Sequence, residues 1–367
     1  MLNSWRQFSA TLVAWMVFCL FAAAPISAQE KPWSDIVATA KREGKIVLAA
    51  APDPLMRQAI PEKFTARFGV TVEYLGGRSS EMSTRLRAER QAGQYMLDVI
   101  TAGVQTMAGI LYAEKMLDPL RPALLLPEVI DPKKWKNGRL WFMDPEDKYV
   151  LRLFNNVNGL FHINTKYVKP EEFKSIRDLL NPKWRGKISV FDPTVAGTGS
   201  NTAAQLYVQV GEPFAKAFYV DRKPIISRDK RQIEDWLIRG TYPISFGARS
   251  EEVERLQKEG FPIVEAPPLP DAPASVGAAS GLLALANRAP HPNAARVFVN
   301  WLASREGLEI FSRSQLHATT RNDVDESFLP PSVIPKPGVQ YFDAYDWEFT
   351  VTKKENVRLW LKDLLKR

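Results

Sequence analysis

The feature that most limits how this chain folds is a short run, Ile46-Val47-Leu48-Ala49-Ala50, in which every residue is apolar. A strand with one wet face alternates polar and apolar residues. A run that is apolar throughout fits a strand covered on both faces, as in a parallel sheet between two helix layers. The same unit then repeats. Pro52 to Pro54 breaks the strand, and Leu55, Ala59, Ile60, Phe64 and Phe68 recur at helical spacing until Gly69 stops them. Val70 to Leu75 is a second strand, turned by Gly76-Gly77. Ser79-Ser80 caps a helix carrying Met82, Leu86 and Glu89 that ends near Gly93. Leu97 to Thr101 is a third strand, with a helix from Gly103 through Lys115. Such alternation predicts an α/β fold built on mostly parallel sheets with helices on both faces.

The middle of the chain follows the same plan. Tyr149 to Ile163 is an extended segment longer than an ordinary strand and reads as a crossing between lobes. Strands are expected at Ile188–Phe191, Ile225–Ser227, Tyr242–Phe246 and Pro262–Glu265. Helices are expected at Ser175–Leu180, Thr202–Val210, Arg231–Arg239 and Ser250–Glu259. The apolar run Ser280–Ala286 crosses back, followed by helices at His291–Ala303, Arg305–Phe311 and Asn356–Leu365. The division that results is lobe 1 from 29–155 plus 280–340, lobe 2 from 156–279, and a C-terminal helical segment 341–367.

The first 28 residues read as a removable leader rather than part of the fold. Arg6 precedes an apolar run from Ala10 to Ala24, and Ile26-Ser27-Ala28 fits a cleavage site. The single cysteine, Cys19, lies inside this segment, so disulfides, thiolate metal sites and cysteine nucleophiles disappear with it. The full chain carries 49 Lys and Arg against 41 Asp and Glu, a net +8, spread without a run of five like charges. A modest basic excess fits nucleic acid, an anionic surface or an acidic small ligand, but spread in this way it reads as a generally basic soluble protein and does not favour nucleic acid.

Catalytic tools are scarce. Only three histidines exist, His162, His291 and His317, and none sits in the context of a triad base. Gly197-Thr198-Gly199-Ser200-Asn201 lacks the glycine after the serine that a nucleophile elbow needs, and it lacks the lysine of a phosphate-binding P-loop. Asp98 has no carboxylate neighbour in sequence. Binding tools are better represented. Arg78 stands between a strand and a helix N-terminus, where a guanidinium and the Ser79 and Ser80 hydroxyls suit a carboxylate or phosphate; a surface arginine is the plainer alternative. The turn Thr194, Gly197, Thr198, Gly199, Ser200, Asn201 is small and rich in hydroxyls, so its amides suit an anion, or simply a helix cap. Arg249 precedes the Ser250 helix, as a cleft cation or a surface charge. Tyr242 and Phe246 fit either a ligand stack or a core.

The order of elements resembles the extracytoplasmic solute-binding proteins of ATP-driven importers, in the class that includes ferric-ion, thiamine and phosphonate binders. The residues carrying the likeness are Lys45–Ala50, Arg85 to Gly93, Leu97-Asp98-Val99, Leu179 to Ile188, Asp192-Pro193, His291 to Ala295 and Phe298 to Gly307. The resemblance implies a two-lobe clamshell of type II, with two hinge crossings, that closes on a solute in the periplasm and presents it to a membrane permease. It implies a monomeric binder without catalytic residues, cofactor or resident metal. It also implies a site on the loops holding Asp53, Arg78, Ser79, Gly103, Thr194 to Ser200, Phe246, Arg249 and Ala278. Ferric-binding members place two adjacent tyrosines where Ser250 and Glu251 stand here, and their histidine and glutamate have no counterpart near Asp53 and Gly103. A small anionic solute is the first expectation. A ferric ion or complex held by another ligand set, and a secreted enzyme on the same fold, are the alternatives.

Cleavage after Ala28 leaves a net +7. N-terminal sequencing of the exported protein is expected to read Gln29-Glu30-Lys31, and a full-length membrane-bound chain would refute the leader.

Overall fold

Along β1 (Lys45–Ala50), Ile46, Leu48 and Ala50 enter one buried cluster and Val47 and Ala49 another, so the apolar run is a strand covered on both faces. The computed structural model describes residues 32–77 and 79–366, of which Trp33 onward forms one compact unit. The expected leader and Arg78 lie outside the described residues.

Helix α1 (Trp33–Glu43), not anticipated above, precedes β1 and ends at Gly44, whose φ of +78° suits glycine. Helix α2 (Pro54–Phe68) starts from Asp53, which caps the Met56 N–H at 2.8 Å, and stops at Gly69. β2 (Thr71–Gly76) pairs parallel to β1, α3 (Ser79–Gln91) follows, and β3 (Val99–Ala102) pairs parallel on the other side of β1. The regular helix expected from Gly103 through Lys115 is instead one α-turn, Val104–Thr106, that widens to π geometry over Met107–Tyr112. Short strands β4 (Leu117–Asp118) and β5 (Leu151–Arg152) complete the outgoing half of the first sheet.

The long extended segment is broken in three. After β5 comes β6 (Asn156–Asn158), then β7 (His162–Asn164), which enters the second sheet. That sheet adds β8 (Ile188–Phe191), helix α4 (Thr198–Val210), β9 (Ile225–Ser227), helix α5 (Lys230–Arg239), β10 (Ile244–Phe246), helix α6 (Ser250–Lys258) and β11 (Ile263–Glu265). The chain returns through β12 (Ser275–Gly277) to β13 (Leu282–Ala286), then helices α7 (Pro292–Ala303) and α8 (Arg305–Gln315). It ends with β14 (Phe342–Asp343) and helix α9 (Lys354–Leu364).

The first sheet has the order β2-β1-β3-β13-β4, with β5 also on β13; the second is β11-β7-β10-β8-β9; β14, β12 and β6 form a three-stranded ribbon. The sheets are mixed: β13 runs against β3, β4 and β5, and β7 runs against β10 and β11. In each sheet the reversed strand is the one arriving from the ribbon. The second sheet turns Phe161, Ile163, Ile188, Val190, Ile244 and Phe246 into one core. Helix α9 packs on α4, with Trp360 edge-on to Tyr207 at 5.2 Å, and its Val357 and Leu361 join that core.

Two buried polar groups test this architecture. Asp98 is fully buried before β3; it accepts the Val47 N–H at 2.7 Å and the His291 N–H at 2.8 Å, and its Oδ2 lies 2.9 Å from His291 Nδ1. It therefore ties β1, β3 and the start of α7 together. Asp98→Ala leaves two backbone donors without a partner, so unfolding in urea should show a loss of about 3 kcal/mol or more at constant m-value.

His162 faces away from the second core, beside Ser245 and under α6. Its Nε2 lies 3.4 Å from Ser250 Oγ, Glu234 of α5 acts on it electrostatically, and its buried Nδ1 has no hydrogen-bond partner among the described residues. Burial pushes the imidazole from 6.5 down to about 4. Between those pH values the unfolded chain binds the extra proton, so stability falls as pH falls, by on the order of 3 kcal/mol across the window. His162→Gln should flatten the stability profile from pH 6.5 to 4, read as denaturation midpoints at both ends.

Candidate functional site

Strand direction locates the site. Leu282, the first residue of β13, lies opposite Ala102, the last of β3; His162, the first of β7, lies opposite Ser245 near the end of β10. The carboxyl ends of the parallel strands in both sheets therefore lie beside the crossings. In open α/β sheets this is where loops and helix N-termini meet a ligand.

On the first sheet, Asp53 is half-buried and committed to capping α2. Gly103 follows β3, and a Cβ there would lie 3.5 Å from the Ala279 carbonyl oxygen, so this loop abuts the return crossing. Ala278 is fully buried, with its carbonyl accepting the Gly281 N–H at 2.7 Å, and contributes backbone only. Ser79 is described only in its backbone, as the first residue of α3.

On the second sheet the small turn is more ordered than a free loop. Helix α4 begins at Thr198 rather than Thr202, because Ser200 Oγ bonds back to the Gly197 amide and carbonyl at 3.1 and 3.0 Å. Gly199 presses on the carbonyls of Phe191 and Asp192, where a Cβ would collide. Gly197 and Thr198 remain exposed. Thr194 is buried and gives both its N–H and its hydroxyl to Asp192 Oδ1, at 2.8 and 2.7 Å, while its carbonyl accepts from Arg358 of α9.

Two expected ligand residues are corrected. Phe246 is a core residue: it is 2% exposed, stacked on Phe161 at 4.9 Å and edge-on to Phe218, because it shares a strand face with Ile244. Tyr242 lies before the strand and packs on Trp236. Arg249 is not an open cation. Its Nε and Nη2 hold the buried Glu234 carboxylate at 2.8 and 2.7 Å, fixing the entry to α6.

The cation that the sequence reading missed is Arg228. It follows β9 directly and precedes a helix, a context like the one that drew attention to Arg78, so the signal was present. Its Nε donates to Asp192 Oδ2 at 2.8 Å; the aspartate side chain is 1% exposed and the arginine side chain 67%. Burial alone would raise the Asp192 carboxyl, but hydrogen bonds from Thr194 and Arg228 outweigh it and hold it below its ordinary value. Because the pair uses Nε, both terminal nitrogens of Arg228 are left without a hydrogen bond among the described residues. Arg228 lines a recess of about 400 Å³ together with Asp192, Ile226 and Ser227.

Among the described residues no three His, Cys, Asp or Glu side chains are gathered as a metal would need, and no helix is long and apolar enough to cross a membrane. The positions matched to the ferric tyrosines, Ser250 and Glu251, open α6.

Residues 50–309 match the model of the family described as bacterial extracellular solute-binding protein. A Haemophilus influenzae protein of unassigned role is 22% identical over 351 residues, covering 89% of this chain and 92% of that one. Among solved structures, a Trichodesmium protein, IdiA or FutA, in complex with iron and citrate ligands has a TM-score of 0.68 at 20% identity, covering 88% of this chain and 99% of that one. The Actinobacillus pleuropneumoniae periplasmic binding protein AfuA, with exogenous fructose-6-phosphate bound, has a TM-score of 0.58 at 19% identity, with coverage of 88% and 99%. These likenesses confirm the two-lobe α/β fold with flanking helices expected from the sequence, its sheets mixed rather than mostly parallel. The chain belongs to the bacterial extracellular solute-binding proteins, the substrate-binding components of ATP-driven importers.

Proposed function

We propose that this chain binds a small anionic solute between its lobes in the periplasm, as a monomer, and presents it to a membrane permease. In this reading the leader is removed, residues 29–155 with 280–340 form one lobe and 156–279 the other, and 341–367 closes the chain. The protein acts by stoichiometric capture rather than turnover. The observation that carries the reading is Arg228. A buried carboxylate fixes its Nε and leaves its terminal nitrogens without a hydrogen bond among the described residues, in a residue that lines the recess, and such open donors suit a carboxylate or phosphate oxygen. The start of α4 supports it, because its cap is Gly197, its first turn carries no acidic residue, and Gly199 lies against the Asp192 backbone.

The relatives support both oxyanion chemistries, one structure holding iron and citrate and another fructose-6-phosphate. The iron in the Trichodesmium complex favours a second reading: a ferric complex whose own anion supplies the oxygen ligands that side chains among the described residues do not gather.

Capture between lobes requires the bound state to differ from the free one. Protein purified from the periplasm and weighed by native mass spectrometry should carry a small anion. Solution scattering should then show a smaller radius of gyration with that anion than after its removal. A retained neutral species would overturn the anionic reading, and an unchanged scattering profile at saturation would overturn closure.

A further inference from the structure

From the first lobe, we infer that Arg57 is the residue that holds the oxyanion of the solute, an inference that rests on the anionic reading above. Arg57 lies on the first turns of α2, four residues past the Asp53 cap, and its side chain crosses the carboxyl ends of β1 and β2. The guanidinium carbon stands 5.2 Å from the centroid of the Tyr74 ring. A Cβ built on Gly76 would lie 2.5 Å from Arg57 Nη2 and 3.3 Å from the Pro52 Cα. The absence of a side chain at Gly76 is thus what lets the guanidinium lie across the strand end.

The platform beneath it is fixed. Tyr74 is half-buried, and its hydroxyl donates to the Ala51 carbonyl oxygen at 2.5 Å, tying the end of β2 to the loop after β1. Burial and the nearby Asp53 keep the phenol protonated and therefore a donor. The ring face attracts the guanidinium and leaves its edges available.

What separates Arg57 from the arginines of the other lobe is its lack of an acid. Arg249 holds Glu234 and Arg228 holds Asp192, but no hydrogen bond or ion pair engages the Arg57 guanidinium among the described residues. Asp53, the nearest acid in sequence, lies close to the Tyr74 phenol but gives its Oδ1 to the Met56 N–H and makes no ion pair with Arg57. An exposed arginine that serves only stability is normally paired or loose; this one is held in place by a ring and a glycine while its donors stay open. Such a fork matches a carboxylate or phosphate in two bonds, which lysine does not reproduce.

The test uses the mature protein with orthophosphate, citrate and fructose 6-phosphate as probes, followed by titration calorimetry and thermal melting. The parent is expected to saturate with at least one probe. Arg57→Ala should then bind that probe about ten- to a hundredfold more weakly, with its melting temperature little changed. Arg57→Lys should recover part of the loss. Gly76→Ala, which displaces the guanidinium without removing it, should weaken binding in the same direction. Should the parent bind a probe and Arg57→Ala bind it equally well, Arg57 is outside the site and only this inference falls. A parent that saturates with none of the three overturns the anionic reading and this inference with it.

Discussion

A strand that runs against its neighbours must begin where they end, and this requirement organises the molecule. β13 and β7 are the reversed strands of their sheets, and each is the first strand the chain enters after leaving the ribbon. The loops that follow β1, β2, β3, β8, β9 and β10 are thereby brought to the crossings. The crossings and the loops after the parallel strands occupy one place for the same geometric reason. The loop at Gly103 comes so close to the return crossing that a Cβ there would lie 3.5 Å from the Ala279 carbonyl oxygen.

The crossings are braced by the end of the chain. Arg152, at the exit from the first sheet, is buried and donates to the Phe154 carbonyl and to Asp343 of β14, at 3.1 and 2.7 Å, and also to Asn155. Tyr345 donates its hydroxyl to the Ala279 carbonyl at 3.1 Å, and Trp347 packs edge-on against Tyr112 at 4.9 Å. Ala279 itself sits at a φ of +43°, which a side chain disfavours, so the return crossing depends on these contacts to hold its shape. The segment that carries β14 therefore touches the first lobe while α9 completes the second core.

Charge at the rim follows one rule. A buried carboxylate must be paired, and beside the second sheet Asp192 and Glu234 each fix an arginine, one after a strand and one at the start of a helix. Whether that arginine remains available depends on which nitrogens the carboxylate takes. Glu234 takes Nε and Nη2 of Arg249, whereas Asp192 takes only Nε of Arg228. Two arginines in comparable sequence contexts thus differ in chemistry through a choice of hydrogen-bond geometry.

Much of the fold was legible in residue order, because burial on both faces leaves an unbroken apolar run, as at Ile46–Ala50, and because glycines such as Gly69 and Gly240 end helices where a left-handed residue is needed. These are local constraints, written within a few residues of one another. The polar row of His162 and Ser245 could not be read, since it exists only when β7 pairs with β10. Phe246 gave no sign of its face, because a three-residue strand offers too little alternation to separate core from cleft. Arg228, Arg249 and Arg57 look alike in sequence, each beside a strand end or a helix start. Their roles depend on partners contributed by Asp192, Glu234, and Tyr74 with Gly76, at distances along the chain that only the tertiary structure closes. The sequence by itself determined which elements form and in what order, because propensity, capping and burial act locally; the tertiary structure decided which charges stay open, because an ion pair is a property of two residues.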